Sequence, residues 1–228
     1  MQKILLFFIV MVITGLSLVG TTSFWNEKFT PSPENLTASV SAIQEKPLEK
    51  PKKIQNKITL LFVGDIMLTR DVESKIKQNK NDWRWPFLPI ADTLNKADLV
   101  FGNLESQISD KGNNVGSIYS FRANPKSIET LQYAGFNVVS VANNHSYDYT
   151  KEAYEDSRAR LTKAGITPVA DTLVIKEILG AKIGFLAYSN FPGPALVTWD
   201  NLKETATAIS QAKTKVDILS VSLHAGEE

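Results

Sequence analysis

Residues 137–149 read NVVSVANNHSYDY, an apolar and β-branched run that stops at two asparagines and a histidine. Val138, Val139 and Val141 predict a buried strand, because β-branched side chains favour extended backbone and the run is too short for a helix. The polar residues therefore follow the carboxyl end of a strand, which is where open α/β sheets bind ligands. This joint predicts an α/β fold with a site at one edge of a sheet.

Three other apolar runs end in polar residues of the same kind. ITLLFVGD ends in Asp65, DLVFGNLE in Asn103 and Glu105, and DILSVSLH in His224, the second of the two histidines of the chain. Turn chemistry explains any one of these joints, since Asn and Asp side chains bond nearby backbone. Carboxylate, amide and imidazole groups at four strand ends are also the donors that a hard or borderline metal ion needs. The four joints together predict a metal site at one rim.

The composition excludes several classes of function. The chain has 228 residues, no cysteine and a formal net charge of +1. Without cysteine there is no disulfide, no thiolate nucleophile and no cysteine-ligated zinc site. Without a basic excess, no nucleic-acid partner is expected.

The first 57 residues predict a membrane segment followed by a linker. No charge occurs between Ile4 and Asn26, and the most apolar part, residues 4–19, is long for a signal-peptide core and slightly short for a full span. We favour a single uncleaved anchor over residues 1–25; a cleaved signal peptide and a buried core helix are the alternatives. Residues 26–57 contain four prolines and many charges, which predicts a flexible linker. Either membrane interpretation places a domain over residues 58–228 outside the cytoplasm.

The domain itself alternates strand and helix patterns. Residues 58–63 predict a strand buried on both faces, and residues 86–95 a helix. Asn124 and Pro125 predict the start of another helix, which Gly135 closes. A hairpin is predicted about Gly180 and Ala181, with glycine first as in a type II′ turn, and Asp200 is expected to cap a last helix. Antiparallel pairing beside βα units predicts a mixed sheet or two packed sheets.

Four ordered motifs, GDIML, FGNLE, VANNHSYDY and SLHAGEE, resemble those of the CapA family. These are capsule or poly-γ-glutamate synthesis proteins, and they are similar to calcineurin-type metallophosphoesterases. The resemblance runs from about Ile58 to the last residue. It implies a four-layer α/β/β/α sandwich with up to two metal ions at its rim. The final histidine-rich motif of the family is expected beyond Glu228, so the resemblance also implies a sandwich that is incomplete at its C-terminus.

The resemblance assigns the metal ligands position by position. Asp65 matches the aspartate that opens the phosphoesterase pattern, while Met67 stands where a histidine is usual. Asn103 or Glu105 takes the place of the bridging aspartate. His224 matches the next single histidine ligand. The implied metal is manganese, iron or zinc, which suit mixed oxygen and imidazole donors.

The same resemblance assigns the catalytic and substrate-binding residues. Asn144 and His145 match an Asn-His pair whose amide oxygen binds metal and whose imidazole lies over the substrate phosphoryl. Asp148 either orients that imidazole or is an ordinary loop residue. Arg122 either holds an anionic substrate group by a forked contact or pairs with a surface carboxylate. The predicted substrate-binding residues are Arg122, Asn143 and Glu227.

Two functions follow, and the sequence leaves open whether the chain is an enzyme. In the first, the protein serves the assembly and export of an anionic capsule polymer such as poly-γ-glutamate, with the polymer, the membrane and other synthase or export subunits as partners. In the second, it is a metal-dependent hydrolase of the cell envelope, in which the metal activates water and His145 protonates the leaving group.

Overall fold

The computed structural model describes residues 57–198 and 201–226. The predicted anchor, the linker up to residue 56, Asp200 and Glu227 lie outside the described residues. Within the described ranges no helix is both long and apolar enough to cross a membrane.

The described residues alternate strands and helices along the chain. The strands are β1 Leu60–Ile66, β2 Leu99–Leu104, β3 Gln107–Ile108, β4 Arg122–Ala123, β5 Val138–Ser140, β6 Thr167–Val169, β7 Val174–Ile178, β8 Ala181–Ser189 and β9 Ile218–His224. The helices are α1 Arg70–Gln78, α2 Ala91–Leu94, α3 Ser127–Tyr133, α4 Thr150–Lys163 and α5 Leu202–Lys213, with a 3₁₀ turn at Trp85–Phe87.

Two sheets carry most of these strands. The first has the order β1-β2-β5-β6 and is parallel throughout. The second has the order β7-β8-β9, with β7 antiparallel and β9 parallel to β8. A small parallel pair joins β3 to β4. Parallel pairing brings the carboxyl ends of β1, β2 and β5 to one edge, which confirms the α/β class.

The alternation of side chains along the central strands explains how the layers stack. Val138 of β5 packs with Phe101 and Phe185 between the two sheets, and the Phe101 and Phe185 rings stack at 5.7 Å between centroids. The next residue, Val139, packs on the opposite face with Leu131 of α3 and Leu161 of α4. Successive strand side chains point to opposite faces, so β5 is buried on both. On the outer face of the second sheet, Ala212 of α5 packs against Leu186 and Tyr188.

The prediction that the first strand is buried on both faces was wrong. β1 is the outer strand of its sheet, and among the described strands it pairs only with β2. Phe62, in its middle, is 49% exposed. An apolar run has the same sequence pattern in a central strand and in an outer one, because burial depends on neighbours that the run does not encode.

The turn of the predicted hairpin also differs from expectation. Ile178 pairs with Ala181, so the two-residue turn is Leu179-Gly180 rather than Gly180-Ala181. Both turn residues have positive φ, 49° and 83°. Two positive φ values are the signature of a type I′ turn, whose twist matches that of the strands it joins.

Two helices also differ from the prediction, one in its first residue and the other in its continuity. α3 begins at Ser127, because Asn124 and Pro125 form a turn before it, in which the Asn124 side chain accepts the backbone N–H of Lys126 at 2.9 Å. The single helix predicted over residues 86–95 is instead the 3₁₀ turn followed by α2. Pro89 lies between them and lacks the N–H that a continuous helix would use.

Candidate functional site

The ends of β1, β2, β5 and β9 deliver their polar side chains to one hydrogen-bonded chain. Asn103 Nδ2 lies 2.8 Å from Asp65 Oδ1 and 3.2 Å from His224 Nδ1. His224 Nε2 lies 3.0 Å from Asn144 Oδ1, and Asn144 Nδ2 lies 3.0 Å from His145 Nε2. The last link joins His145 Nδ1 to Asp148 Oδ2 at 2.8 Å. We call these six residues the rim network: Asp65, Asn103, His224, Asn144, His145 and Asp148.

The amide groups of the rim network set the tautomers of its two histidines. An amide nitrogen only donates, so Asn103 donates to His224 Nδ1, and His224 in turn donates from Nε2 to the Asn144 oxygen. Asn144 Nδ2 donates to His145 Nε2, which leaves Nδ1 of His145 as the donor to Asp148. The two imidazoles therefore hold their protons on opposite nitrogens, with the acceptor Nε2 of His145 turned toward the rim.

Asp148 and Phe121 fix the position of His145. The Oδ2 atom of Asp148 accepts both the imidazole proton and the backbone N–H of Phe121, the latter at 2.6 Å. The Phe121 ring packs on the imidazole at 4.1 Å between centroids. Both His145 and Asp148 are buried. Glu105 Oε1 lies 3.8 Å from His145 Nε2, so a further carboxylate borders the atom that faces the rim.

Asn143, predicted to bind substrate, is placed behind the rim network. Its side chain is 1% exposed and donates to Asn103 Oδ1 at 3.1 Å and to the Leu104 carbonyl at 2.9 Å. Its own oxygen accepts the backbone N–H of His145 at 3.1 Å. These bonds join β2 to the loop after β5. The buried Asn143 side chain therefore stabilises the positions of Asn103 and His145 in the rim network.

Arg122, also predicted to bind substrate, lies apart from the rim network. Its guanidinium donates to the carbonyl oxygens of Lys111 and Gly112 at 2.8 and 3.1 Å. It also lies over the Tyr149 ring at 4.1 Å. These contacts hold the loop between β3 and β4 against the start of α4. Neither interpretation of Arg122 from the sequence anticipated carbonyl partners.

The donors in the rim network are of the kinds that a divalent ion accepts. They comprise the Asp65 carboxylate, the Asn144 amide oxygen, the His224 imidazole and the Asn103 amide, whose oxygen also accepts from Asn143 Nδ2. Across residues 57–198 and 201–226 no three or more His, Cys, Asp or Glu side chains lie close enough together to hold a metal ion. A ligand set drawn from these described residues would therefore include the amides.

Three aromatic or basic contacts at the rim were not predicted. Phe121 contacts His145, Phe191 contacts His224 at 5.8 Å between ring centroids, and Arg70 lies over the Phe121 ring at 5.6 Å. Both phenylalanines come from loops without strand or helix periodicity, so their position follows from tertiary packing alone. Arg70 follows GDIML by two residues. A charged residue two positions after that motif was the one available sequence signal.

Residues 59–228 match the family model described as bacterial capsule synthesis protein PGA_cap. The capsule biosynthesis protein CapA of Bacillus anthracis is 26% identical over 196 residues, which cover 75% of this chain and 47% of that protein. The PGA biosynthesis protein CapA of Bacillus subtilis (strain 168) is 25% identical over 186 residues, covering 73% and 48%. The chain thus spans about half the length of these relatives.

Among solved structures, a hypothetical protein from Thermus thermophilus matches with a TM-score of 0.43 and 17% identity, over 75% of this chain and 59% of that one.

Proposed function

The chain belongs to the PGA_cap family of bacterial capsule synthesis proteins, and from this premise we propose that it serves the assembly and export of an anionic capsule polymer such as poly-γ-glutamate. The relatives named for capsule and PGA biosynthesis support this role. The observation that carries the proposal is the rim network, which gathers amide, imidazole and carboxylate groups from both sheets. Such a cluster offers an extended anionic polymer several polar contacts in one place.

In this proposal, four residues of the rim network hold a divalent ion. Asp65, Asn103, Asn144 and His224 would hold one divalent cation, with manganese, iron or zinc as the candidates. When bound, the ion supplies positive charge that offsets the acidic groups of the rim and attracts the oxygens of the polymer. The Glu105 carboxylate lies beside this site, 3.8 Å from His145 Nε2.

We further propose that residues 1–25 anchor the chain in the cell membrane and that residues 26–57 tether the domain on its outer side. The tether would let the rim reach polymer as it emerges at the membrane surface. Other synthase or export subunits would be the protein partners. A secreted form, after removal of residues 1–20, is the alternative.

A second function, metal-dependent hydrolysis within the cell envelope, is favoured by one specific contact. The 2.8 Å bond between Asp148 and His145 Nδ1 holds the imidazole with Nε2 facing the rim. Once protonated, that nitrogen could give a proton to the leaving group of a phosphoester or polymer bond, and Asp148 would stabilise the imidazolium. A metallophosphoesterase-like reaction uses these roles, and the four-layer sandwich would be its scaffold.

The two functions are separated by measuring binding and turnover on the same protein. We would purify the full chain in detergent, measure its binding of fluorescent poly-γ-glutamate, and follow hydrolysis of p-nitrophenyl phosphate with added Mn²⁺ or Zn²⁺. Polymer binding without turnover supports assembly and export. Metal-dependent turnover that falls by about a hundredfold or more in His145→Ala supports the hydrolase. An Arg84→Ala variant, in which the lost guanidinium pairs with Asp82 and not with the rim network, controls for non-specific effects. Absence of both activities would contradict both functions.

A further inference from the structure

Arg70 has a backbone conformation that needs an explanation. It opens α1, shortly after β1 delivers Asp65 to the rim network. Its φ is +55°, in the left-handed region that side chains with a Cβ atom adopt at a cost in free energy. Non-glycine residues held in this region are concentrated at ligand-binding and active sites. The left-handed backbone therefore marks Arg70 as a candidate binding residue.

The guanidinium of Arg70 differs from the others in its partners. The other four arginines of the chain, Arg84, Arg122, Arg158 and Arg160, contact carboxylates or backbone carbonyls. Arg70 lies over the Phe121 ring at 5.6 Å and forms no ion pair with any residue in the described part of the chain. Its five N–H donors are therefore available to an external acceptor. An aromatic face orients an arginine without using these donors.

The charge of the rim shows why an external anion would need Arg70. The carboxylates of Asp65, Glu105 and Asp148 lie within or beside the rim network. They repel an anionic substrate as it approaches His145. The Phe121 ring contacts both the Arg70 guanidinium and the His145 imidazole, so it holds the guanidinium near the imidazole. The positive charge of the guanidinium there offsets the repulsion from the carboxylates. Its planar fork matches the two oxygens of a carboxylate or a phosphate.

We propose that Arg70, held on Phe121 beside His145, binds an oxyanion of the substrate at the rim. The identity of that substrate, the side-chain carboxylates of an anionic polymer, rests on the proposed function. The role of Arg70 rests on the geometry alone. It takes the task that sequence patterns assigned to Arg122, whose donors are used by backbone carbonyls.

Two probes test the proposal on metal-free full chain at low ionic strength. The first is a fluorescent γ-linked glutamate oligomer, followed by anisotropy. The second is inorganic phosphate, followed by the chemical shifts of the His145 ring. Arg70→Ala should weaken binding of both probes by about five- to tenfold, as expected for a charge-assisted contact at a partly exposed site. Added salt should weaken the wild type more than the variant, because screening acts on the lost charge pair.

Three further variants separate recognition from structure. Arg84→Ala also removes an arginine that lies over an aromatic ring, at Tyr133, and should bind both probes as the wild type does. Arg70→Lys keeps the charge without the fork and should bind with intermediate affinity. Arg70→Gly should lose affinity without a fall in Tm, because glycine adopts positive φ without strain.

The outcomes distinguish this inference from the proposed function. Wild-type affinity in both Arg70→Ala and Arg70→Gly would overturn the role of Arg70 and leave the polymer function standing. A Tm lowered in Arg70→Gly together with lost binding would also overturn it, since Arg70 would then be structural. If phosphate binds through Arg70 but the glutamate oligomer does not bind the wild type, the inference stands and the polymer function fails.

Discussion

At the scale of single residues, the two histidines should carry their protons on opposite nitrogens. The hydrogen bonds of the rim network place the proton of neutral His224 on Nε2 and that of neutral His145 on Nδ1. Because the chain has only two histidines, both imidazoles can be assigned by nitrogen-15 NMR of metal-free protein with one His224→Gln variant. When both imidazoles are neutral, the long-range correlations should report one ring of each tautomer.

The same experiment tests whether Asp148 sets the tautomer of His145. Asp148→Ala removes the acceptor of the Nδ1 proton and leaves only the Asn144 amide to hold the tautomer, so the His145 ring should gain a population of the Nε2-protonated form, while His224 keeps its Nε2 proton as an internal control. The variant should also be less stable by about 1–3 kcal/mol in a urea titration, because the backbone N–H of Phe121 loses its partner in a buried place. An unchanged His145 spectrum would show that Asp148 does not orient the ring.

At the scale of elements, Asp156 of α4 connects the helix to the loop between β3 and β4. Burial raises the pKa of Asp156, but hydrogen bonds from Arg160, Ser109 and Lys111 outweigh it and lower the pKa to about 2. The ordinary value of 3.8 applies to the unfolded chain. Since the folded-state pKa is the lower one, Asp156 stabilises the fold above about pH 4, and this contribution is lost as the pH falls toward 2.

Replacing Asp156 by asparagine should therefore change both stability and its dependence on pH. Asp156→Asn should lower the free energy of unfolding at pH 7 by about 1–2 kcal/mol, somewhat less than the full pKa shift implies because solvent screens its lysine and arginine partners. The variant should also lose part of the stability change between about pH 4 and pH 2, measured by urea titrations at each pH. Glu155→Gln, on the exposed neighbouring position of α4, should leave the curve unchanged. If the free energy of unfolding depended on pH in the same way in both variants, Asp156 would not be the source of the acid-sensitive stability.

Sequence patterns predicted strand ends well because the relevant signal is local. Val138 and Val139 are buried on opposite faces, and a β-branched run followed by polar residues encodes that arrangement without reference to the rest of the chain. The type I′ turn was missed because Leu179 adopts a positive φ that leucine does not favour. The contact of Arg70 with Phe121 was missed because no sequence period relates the first residue of α1 to one before β4.

At the scale of the whole molecule, the rim network depends on how the two sheets are stacked. Asp65, Asn103 and Asn144 come from the strand ends of the first sheet, whereas His224 ends β9 of the second. The stacked rings of Phe101 and Phe185 pack between the two sheets, within a larger apolar cluster. A single sequence indicates where each strand ends but not how two sheets pack. The residues of the rim network could therefore be predicted from the sequence, whereas the distances between them could not.

Among the described strands, β9 is an apolar outer strand of the second sheet. β9 pairs with β8 on one side, and no other described strand pairs with its free edge. Val221 is 40% and Leu223 59% exposed, and alternation places both on one face of the strand. Exposed apolar outer strands with unpaired backbone groups favour association with other chains. We therefore expect a polypeptide that ends at Glu228 to self-associate through this edge as its concentration rises.

Val221→Lys should reduce that self-association, because a charge on an outer strand opposes pairing with another edge. Val221 does not belong to the rim network, so the tautomers of His145 and His224 should be retained in this variant. Sedimentation velocity at increasing concentration measures the effect. Leu88→Lys is the matched control, since Leu88 is 47% exposed but lies outside both sheets, and it should associate as the parent does. A parent chain that remains monomeric at all concentrations would contradict the role of the β9 edge, and equal association of both variants would place the contact elsewhere.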